Sequence, residues 1–397
     1  MSPLLAKLQR SVALITLLLT FLFATAASAA PPIVIGISAE YGVKGSQAAQ
    51  SIEKGIRLAA DEINARGGLL GGQQIVIETR DDRGVPARGV DNLNELAGKP
   101  DVVAVFCGRF SPVAIEQAPV ANRERILLLD PWAAADGIAN NGGSPNYVFR
   151  LSLIDTWALN TMADHALRKK FKRVALFLPN TAWGRSSLAA FDAFAAKHPG
   201  LHGDSVWYNW GDTDFSEKLA TVRAKGAQAI LLVANETEGA LLVKEIAALP
   251  AEHRLPVIAH WGITGGNFAA AAGPALDAVD LQVVQTFTFS DTKNPRIRAV
   301  AQNYQRLFGE DASSMHAAVG FAHAYDLTHL LARAISKAGT SERSAVRAAL
   351  ENLGPYAGLL RDYKRPFSPS NHEALDQKQV FLARFARDGT LLRTQGQ

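Results

Sequence analysis

Apolar residues fall into two rhythms along the chain. Pro32–Ser38 carries Ile33, Val34, Ile35 and Ile37 almost without interruption, as expected of a strand covered on both faces. From about Ala48 to Arg66, Ile52, Ile56, Ala59, Ala60 and Ile63 recur at i, i+4, i+7, i+8 and i+11, one face of a helix. Gly67-Gly68 ends that helix, and Gly71-Gly72 turns the chain into a second strand, Gln74–Thr79. A helix near Pro86–Leu96, a strand at Val102–Cys107, a helix from Pro112 and a strand at Ile126–Leu129 continue the series. This alternation predicts a parallel sheet covered by helices.

After Tyr147–Leu151 the alternation starts afresh. Strands are expected at Val174–Leu178, Ser205–Trp210, Ala229–Val233, Val257–His260 and Leu281–Thr286. Helical patterns separate them at Trp157–Lys169, Gly184–His198, Phe215–Lys225 and Glu238–Leu249. The simplest reading is α/β, with two open sheets of similar size that part near residue 150. Past Phe289 the pattern is mostly helical, at Pro295–Phe308, His316–Lys337 and Ser341–Leu353. These helices are expected to cover the existing lobes. A last strand, Gln379–Phe385, precedes an Asp388-Gly389 turn.

Ahead of the first strand, Lys7 and Arg10 precede an apolar run from Val12 to Phe23 and the triplet Ala27-Ser28-Ala29. A basic start, a short apolar stretch and a small-x-small site make an export leader. The run is shorter than the roughly 20 residues of a membrane span. Residues 1–30 are therefore read as a cleaved signal peptide, the competing reading being an uncleaved anchor. No cysteine follows the run, which excludes a lipid anchor. The expected product is soluble and periplasmic, without a direct membrane anchor. The formal charge is +4, two units of which belong to Lys7 and Arg10, and no block of like charge stands out. Neither nucleic acid nor an anionic membrane is signalled as a partner. Cys107 is the single cysteine, so neither an internal disulfide nor a thiolate zinc site is available.

In open α/β sheets ligands bind outside the carboxyl ends of the strands. Cys107-Gly108-Arg109-Phe110-Ser111-Pro112 follows a strand and opens a helix. Ser111 reads as the N-cap and Pro112 as the first helical residue. Such an end offers N–H groups and a hydroxyl to a carboxylate, and Arg109 adds a bidentate partner. The alternative is that Ser111 only caps its helix. Asp130-Pro131-Trp132-Ala133-Ala134-Ala135 follows the next strand, Asn180 to Arg185 brings Trp183 to a later one, and His260-Trp261-Gly262 a third tryptophan. Tryptophans at three strand ends suggest an aromatic cleft between two lobes, against the alternative of ordinary packing.

Signals for catalysis are weak. The chain has no dinucleotide fingerprint after its first strand, no P-loop, no nucleophile-elbow serine and no zinc-protease helix. Asp212 and Asp214 precede a helix, where aspartate is favoured for structural reasons. His316, His323 and His329 are spaced by seven and six residues, unlike metal ligands on one helical face. No metal and no cofactor are expected.

The chain resembles type I periplasmic solute-binding proteins of the branched-chain amino acid (Leu/Ile/Val-binding) class, which serve ABC importers. The resemblance is carried by Ile35-Gly36 with the loop to Gly55, Asp61 to Gly72, Asp81-Asp82 and Gly108 to Ser111. It continues through Asp130-Pro131, Trp183-Gly184, Asp214-Phe215-Ser216 and Tyr325-Asp326. It implies two Rossmann-like lobes joined by a three-segment hinge and closing on a small-molecule ligand, with an inner-membrane ABC permease as partner. The implied crossings lie near 149–152, 284–287 and 359–363. Lobe 1 then holds 31–150 and 286–360, and lobe 2 holds 151–285 and 361–397. Position by position, the resemblance puts the carboxylate-binding serine segment on Gly108–Ser111 and the next ligand loop on Trp132, Ala133 and Ala134. The covering aromatic falls on Trp183, and a second-lobe contact near Asn235 and Glu236.

Amino acid binders of this class pair the ligand ammonium with an acidic residue, whose place falls at or beside Trp261. A buried ammonium without a charge partner is costly. With Phe110 and the tryptophans as walls, the expected ligand is therefore an aromatic or apolar carboxylate or amide, preferred over leucine. The alternative is that Glu236 takes the ammonium of an ordinary branched-chain amino acid. Two other functions remain open: an exported enzyme using Asp212, Asp214 or His260 in the same cleft, and a ligand-sensing regulator.

Overall fold

A computed structural model describes residues 31–394; the expected signal peptide lies outside the described residues. The first half builds β1 (Ile33–Ala39), α1 (Ala48–Ala65), β2 (Ile75–Asp81), α2 (Pro86–Ala97), β3 (Val102–Cys107), α3 (Ser111–Glu124), β4 (Leu127–Asp130) and β5 (Val148–Arg150). Its strands form a five-stranded parallel sheet in the order β2-β1-β3-β4-β5. The unbroken apolar runs explain the arrangement, because all of β1 and β3 is buried between helical layers.

The second half adds α4 (Asp155–Arg168), β6 (Arg173–Pro179), α5 (Ala182–Ala195), β7 (His202–Tyr208), α6 (Ser216–Ala224), β8 (Ala229–Leu232), α7 (Glu236–Ala248), β9 (Val257–Ala259) and β10 (Leu281–Gln285). Three helices follow, α8 (Pro295–Phe308), α9 (Ala318–Ala338) and α10 (Arg343–Leu350). Then come a small hairpin, β11 (Tyr356–Ala357) with β12 (Asp362–Tyr363), and finally β13 (Phe381–Phe385) and β14 (Leu391–Arg393). The second sheet has seven strands, ordered β14-β13-β10-β9-β8-β6-β7, with β13 and β14 antiparallel additions. The fold is α/β, with two lobes.

Helix α9 returns to the first lobe and packs along α1. The approach is close enough that a Cβ on Gly55 would collide with the Phe321 carbonyl. The chain then stays on that lobe beyond 359–363, where the third crossing was expected. Asp326 on α9 accepts the N–H groups of Leu359 (2.7 Å) and Leu360 (3.1 Å) and the Tyr363 hydroxyl (2.8 Å). Further on, Arg150 N–H donates to His372 O (2.8 Å) and Ala374 N–H to Arg150 O (2.9 Å). Only at Gln377, whose amide donates to Trp157 O (3.1 Å) and Thr161 Oγ1 (2.9 Å), does the chain reach the second lobe. The third crossing therefore lies between Glu373 and Gln377.

Candidate functional site

The ends of β3 and β4 set the first-lobe face of the cleft. Phe110, in extended backbone, occupies the N-cap position of α3, and Ser111 is already helical. This corrects the expectation that Ser111 caps the helix. Its hydroxyl instead accepts the N–H groups of Ala134 and Ala135, both at 3.2 Å, and so ties two strand-end loops together. Asp130 Oδ1 accepts the N–H groups of Trp132 (2.9 Å) and Ala133 (2.7 Å). Burial raises the Asp130 carboxyl to about 7 despite the nearby Arg150 guanidinium.

The second-lobe face is made by residues that follow a lobe crossing or a strand. Asp155 is the first residue of α4 but caps nothing, since Ile154 holds the N-cap position. Its Oδ1 accepts the indole N–H of Trp183 (3.0 Å) and lies 3.2 Å from His260 Nε2, off the direction of a hydrogen bond. Among the described residues, Asp155 Oδ2 and His260 Nδ1 have no hydrogen-bond partner, although both side chains are wholly buried. The Trp183 and His260 rings meet edge-on at 5.0 Å. Buried polar atoms without partners are rare and call for a reason. Ala134 joins the two faces: its N–H goes to Ser111, and its carbonyl accepts Asp155 N–H at 2.8 Å.

Arg109 reaches across the lobes. Its Nη1 donates to Glu236 Oε2 (2.6 Å) and Nη2 to Oε1 (2.9 Å), while Nε lies 3.6 Å from Glu40 Oε1. Burial works against the Arg109 charge, but the Glu236 and Glu40 carboxylates outweigh it and raise the pKa. The passage is open because residue 265 is glycine; a Cβ there would collide with Arg109 Nη1. Nearby, Gln47 N–H donates to Gly265 O (2.8 Å), a second link between lobes. Arg109 and Glu236, both expected at the ligand, are thus paired with each other.

Residues 32–390 match the family model described as periplasmic binding protein. The chain belongs to that family. It is 28% identical over 354 residues to a Leu/Ile/Val-binding protein homolog of Brucella melitensis, covering 88% of this chain and 90% of the relative. It is likewise 28% identical over 342 residues to the Leu/Ile/Val-binding protein BraC3 of Rhizobium johnstonii, covering 85% and 88%. Among solved structures, a type 1 periplasmic binding protein from Bordetella pertussis superposes with a TM-score of 0.82 at 22% identity, covering 91% of this chain and 99% of that one.

In this periplasmic binding protein the tryptophans divide. Trp183 stands on Asp155, as described. Trp132 and Trp261 meet each other at 5.5 Å, and Trp261 meets His323 at the same centroid distance. His323 Nδ1 lies 2.8 Å from Pro131 O and Nε2 2.9 Å from Thr286 Oγ1. Trp132 and Trp261 therefore pack beside the second crossing. Phe110 lies 5.0 Å from Trp210 and under the Arg109 guanidinium. Asn235 is at the N-cap of α7 without a side-chain capping bond.

Asp212 and Asp214 serve their own turn. Asp214 accepts the Ser216 N–H and hydroxyl (2.8 and 2.6 Å), bonds that hold its pKa below the usual carboxylate range. Asp212 Oδ2 accepts Asn209 N–H at 3.1 Å. Asp155 draws no attention in the sequence because the apolar pattern starts its helix only at Trp157, whereas the helix begins at Asp155 itself. The signal was its position just after a lobe crossing.

Proposed function

We propose that the protein is the solute-binding component of an ABC-type importer of the branched-chain amino acid class. It is exported by its leader to the periplasm, and its lobes close on an α-amino acid with an apolar or aromatic side chain. The carrying observation is the free Oδ2 of wholly buried Asp155, one peptide away from the Ser111–Ala135 array of N–H and hydroxyl groups. An ammonium at Asp155 and a carboxylate at Ser111 give each buried charge its partner. Trp183 covers the ligand body. Arg109 is already neutralised by Glu236, so the ligand carboxylate is met by the Ser111 hydroxyl, whose oxygen the Ala134 and Ala135 N–H groups already polarise. The loaded, closed form is the one the permease meets.

A second reading rests on the 3.2 Å contact between His260 and Asp155. If His260 takes the place of a ligand ammonium as the partner of Asp155, the cleft suits an aromatic or apolar acid or amide. A thermal-shift panel of amino acids, aromatic acids and their amides separates the two readings. A ligand at about 100 times its Kd adds about 2.7 kcal/mol of stability. Recovering the ligand chemically unchanged after incubation supports a binder, and conversion would make the protein an enzyme.

A further inference from the structure

We infer that Arg150 is the positioning residue of the ligand-carboxylate seat: fastened to Glu373, its guanidinium holds the Ala133, Ala135 and Asp136 carbonyls on one side of the 132–136 loop and so helps to keep the N–H groups of Ala134 and Ala135 on Ser111. The inference rests on the reading of Ser111 and that loop as the seat.

Arg150 ends β5 and is wholly buried. Its Nη1 donates to Ala133 O (3.1 Å) and Ala135 O (2.7 Å), and Nη2 to Asp136 O (3.4 Å). Two neighbours on the first crossing complete the pattern: the Ser152 hydroxyl donates to Trp132 O (3.0 Å) and Asp155 N–H to Ala134 O (2.8 Å). Every carbonyl from Trp132 to Asp136 is thus held by residues 150–155. A planar peptide whose oxygen is fixed on one side presents its N–H on the other. There, Ala134 and Ala135 meet Ser111, and Asp136 N–H reaches across to Ser186 Oγ (3.1 Å).

A buried guanidinium must be paired and hydrogen-bonded. Glu373 meets it with Oε1 2.6 Å from Nη2 and Oε2 2.9 Å from Nε. Glu373 belongs to the segment that makes the third crossing, so one side chain fastens the ligand loop to two of the three connections between lobes. The planar fork is what reaches alternate carbonyls and a carboxylate together; a lysine ammonium does not supply that geometry. Arg150 acts through the loop and not by contact with ligand.

The test is calorimetry with leucine, phenylalanine and their primary amides on the full chain, its Arg150→Lys variant and its Glu373→Gln variant. In the parent protein the acids should bind at least about tenfold tighter than the amides, as a hydrogen-bonded charge is worth. Equal binding of acid and amide by the parent overturns the seat itself, and the inference with it. Given that preference, Arg150→Lys should reduce it about tenfold, and Glu373→Gln should reduce it by less in the same direction. A merely structural role lowers melting temperature and the affinity of both ligand types together, leaving the preference intact. That result overturns the inference. Should Arg150→Lys fail to fold, Glu373→Gln decides alone, and a preference it leaves unchanged contradicts the inference.

Discussion

On the first-lobe face of the cleft, every carbonyl and every N–H from Trp132 to Asp136 has a protein partner. On the second-lobe face, Asp155 Oδ2 and His260 Nδ1 are just as buried and have none among the described residues. The first face is organised before ligand arrives, and ordering it costs binding nothing. On the proposed reading the second is completed by the ligand, and its unpartnered polar atoms are where affinity and selectivity arise. One lobe supplies shape, the other demand.

Asp155→Asn should break this contrast most severely. Affinity for amino acids should fall by about 2–5 kcal/mol, as expected when a buried charge loses its partner. The ligand-free protein should melt no lower than the parent, because Asn keeps an acceptor for Trp183 and Oδ2 bonds nothing. A large loss of ligand-free stability would show Asp155 to be structural. Ser111→Ala should act on both properties. It removes about 1.5–3 kcal/mol of affinity for a carboxylate, and the ligand-free protein is also destabilised, since the N–H groups of Ala134 and Ala135 lose their acceptor. Unchanged affinity with the fold intact would remove Ser111 from the site.

Smaller effects sharpen the picture. Glu236→Gln weakens the cross-lobe bond to Arg109 from a charge-assisted one to a neutral one, a change of roughly 1 kcal/mol. Small-angle scattering at subsaturating ligand should then show more of the open form, with the affinity loss shared equally by all ligands. A loss confined to amino acids would return Glu236 to the role of ammonium partner. The smallest effect concerns pH. Burial, then the Glu40 charge, raises the Asp82 carboxyl to about 7, above the ordinary value of about 3.9 in the unfolded chain. Between those values the folded state holds a proton that the unfolded state has lost, so stability falls as pH rises. Asp130, also at about 7, contributes in the same sense. Asp82→Asn should flatten the fall in melting temperature between pH 5 and pH 8, and an unchanged slope would refute its part.

The lobes were legible in the sequence because buried parallel strands and amphipathic helices write different periods. Strands β1 and β3 and helices α1 and α8 were placed from pattern to within a residue or two. The same logic marked the strand ends, where Ser111, Trp183 and the Trp132–Ala134 loop lie. What stayed hidden depends on partners distant in the chain. Arg150 sits in the apolar run Tyr147–Leu151 and passed as part of a strand, because Glu373 is far away in sequence. Arg109 and Glu236 both looked available to a ligand, and only the fold brings them together. The third crossing moved because Asp326 holds residues 359–363 to α9, a bond that no local pattern announces.

On the proposed reading, Asp155 makes the cleft a receptor for an ammonium as well as a carboxylate. Titration calorimetry of the parent protein with leucine and with 4-methylpentanoate, which keeps the side chain and carboxylate but lacks the amine, tests it most directly, alongside phenylalanine and 3-phenylpropanoate. The amino acid of the preferred pair should bind tighter by about 2 kcal/mol or more. Equal binding, or tighter binding of the acid without an amine, would contradict the claim and favour an aromatic or apolar acid as the ligand.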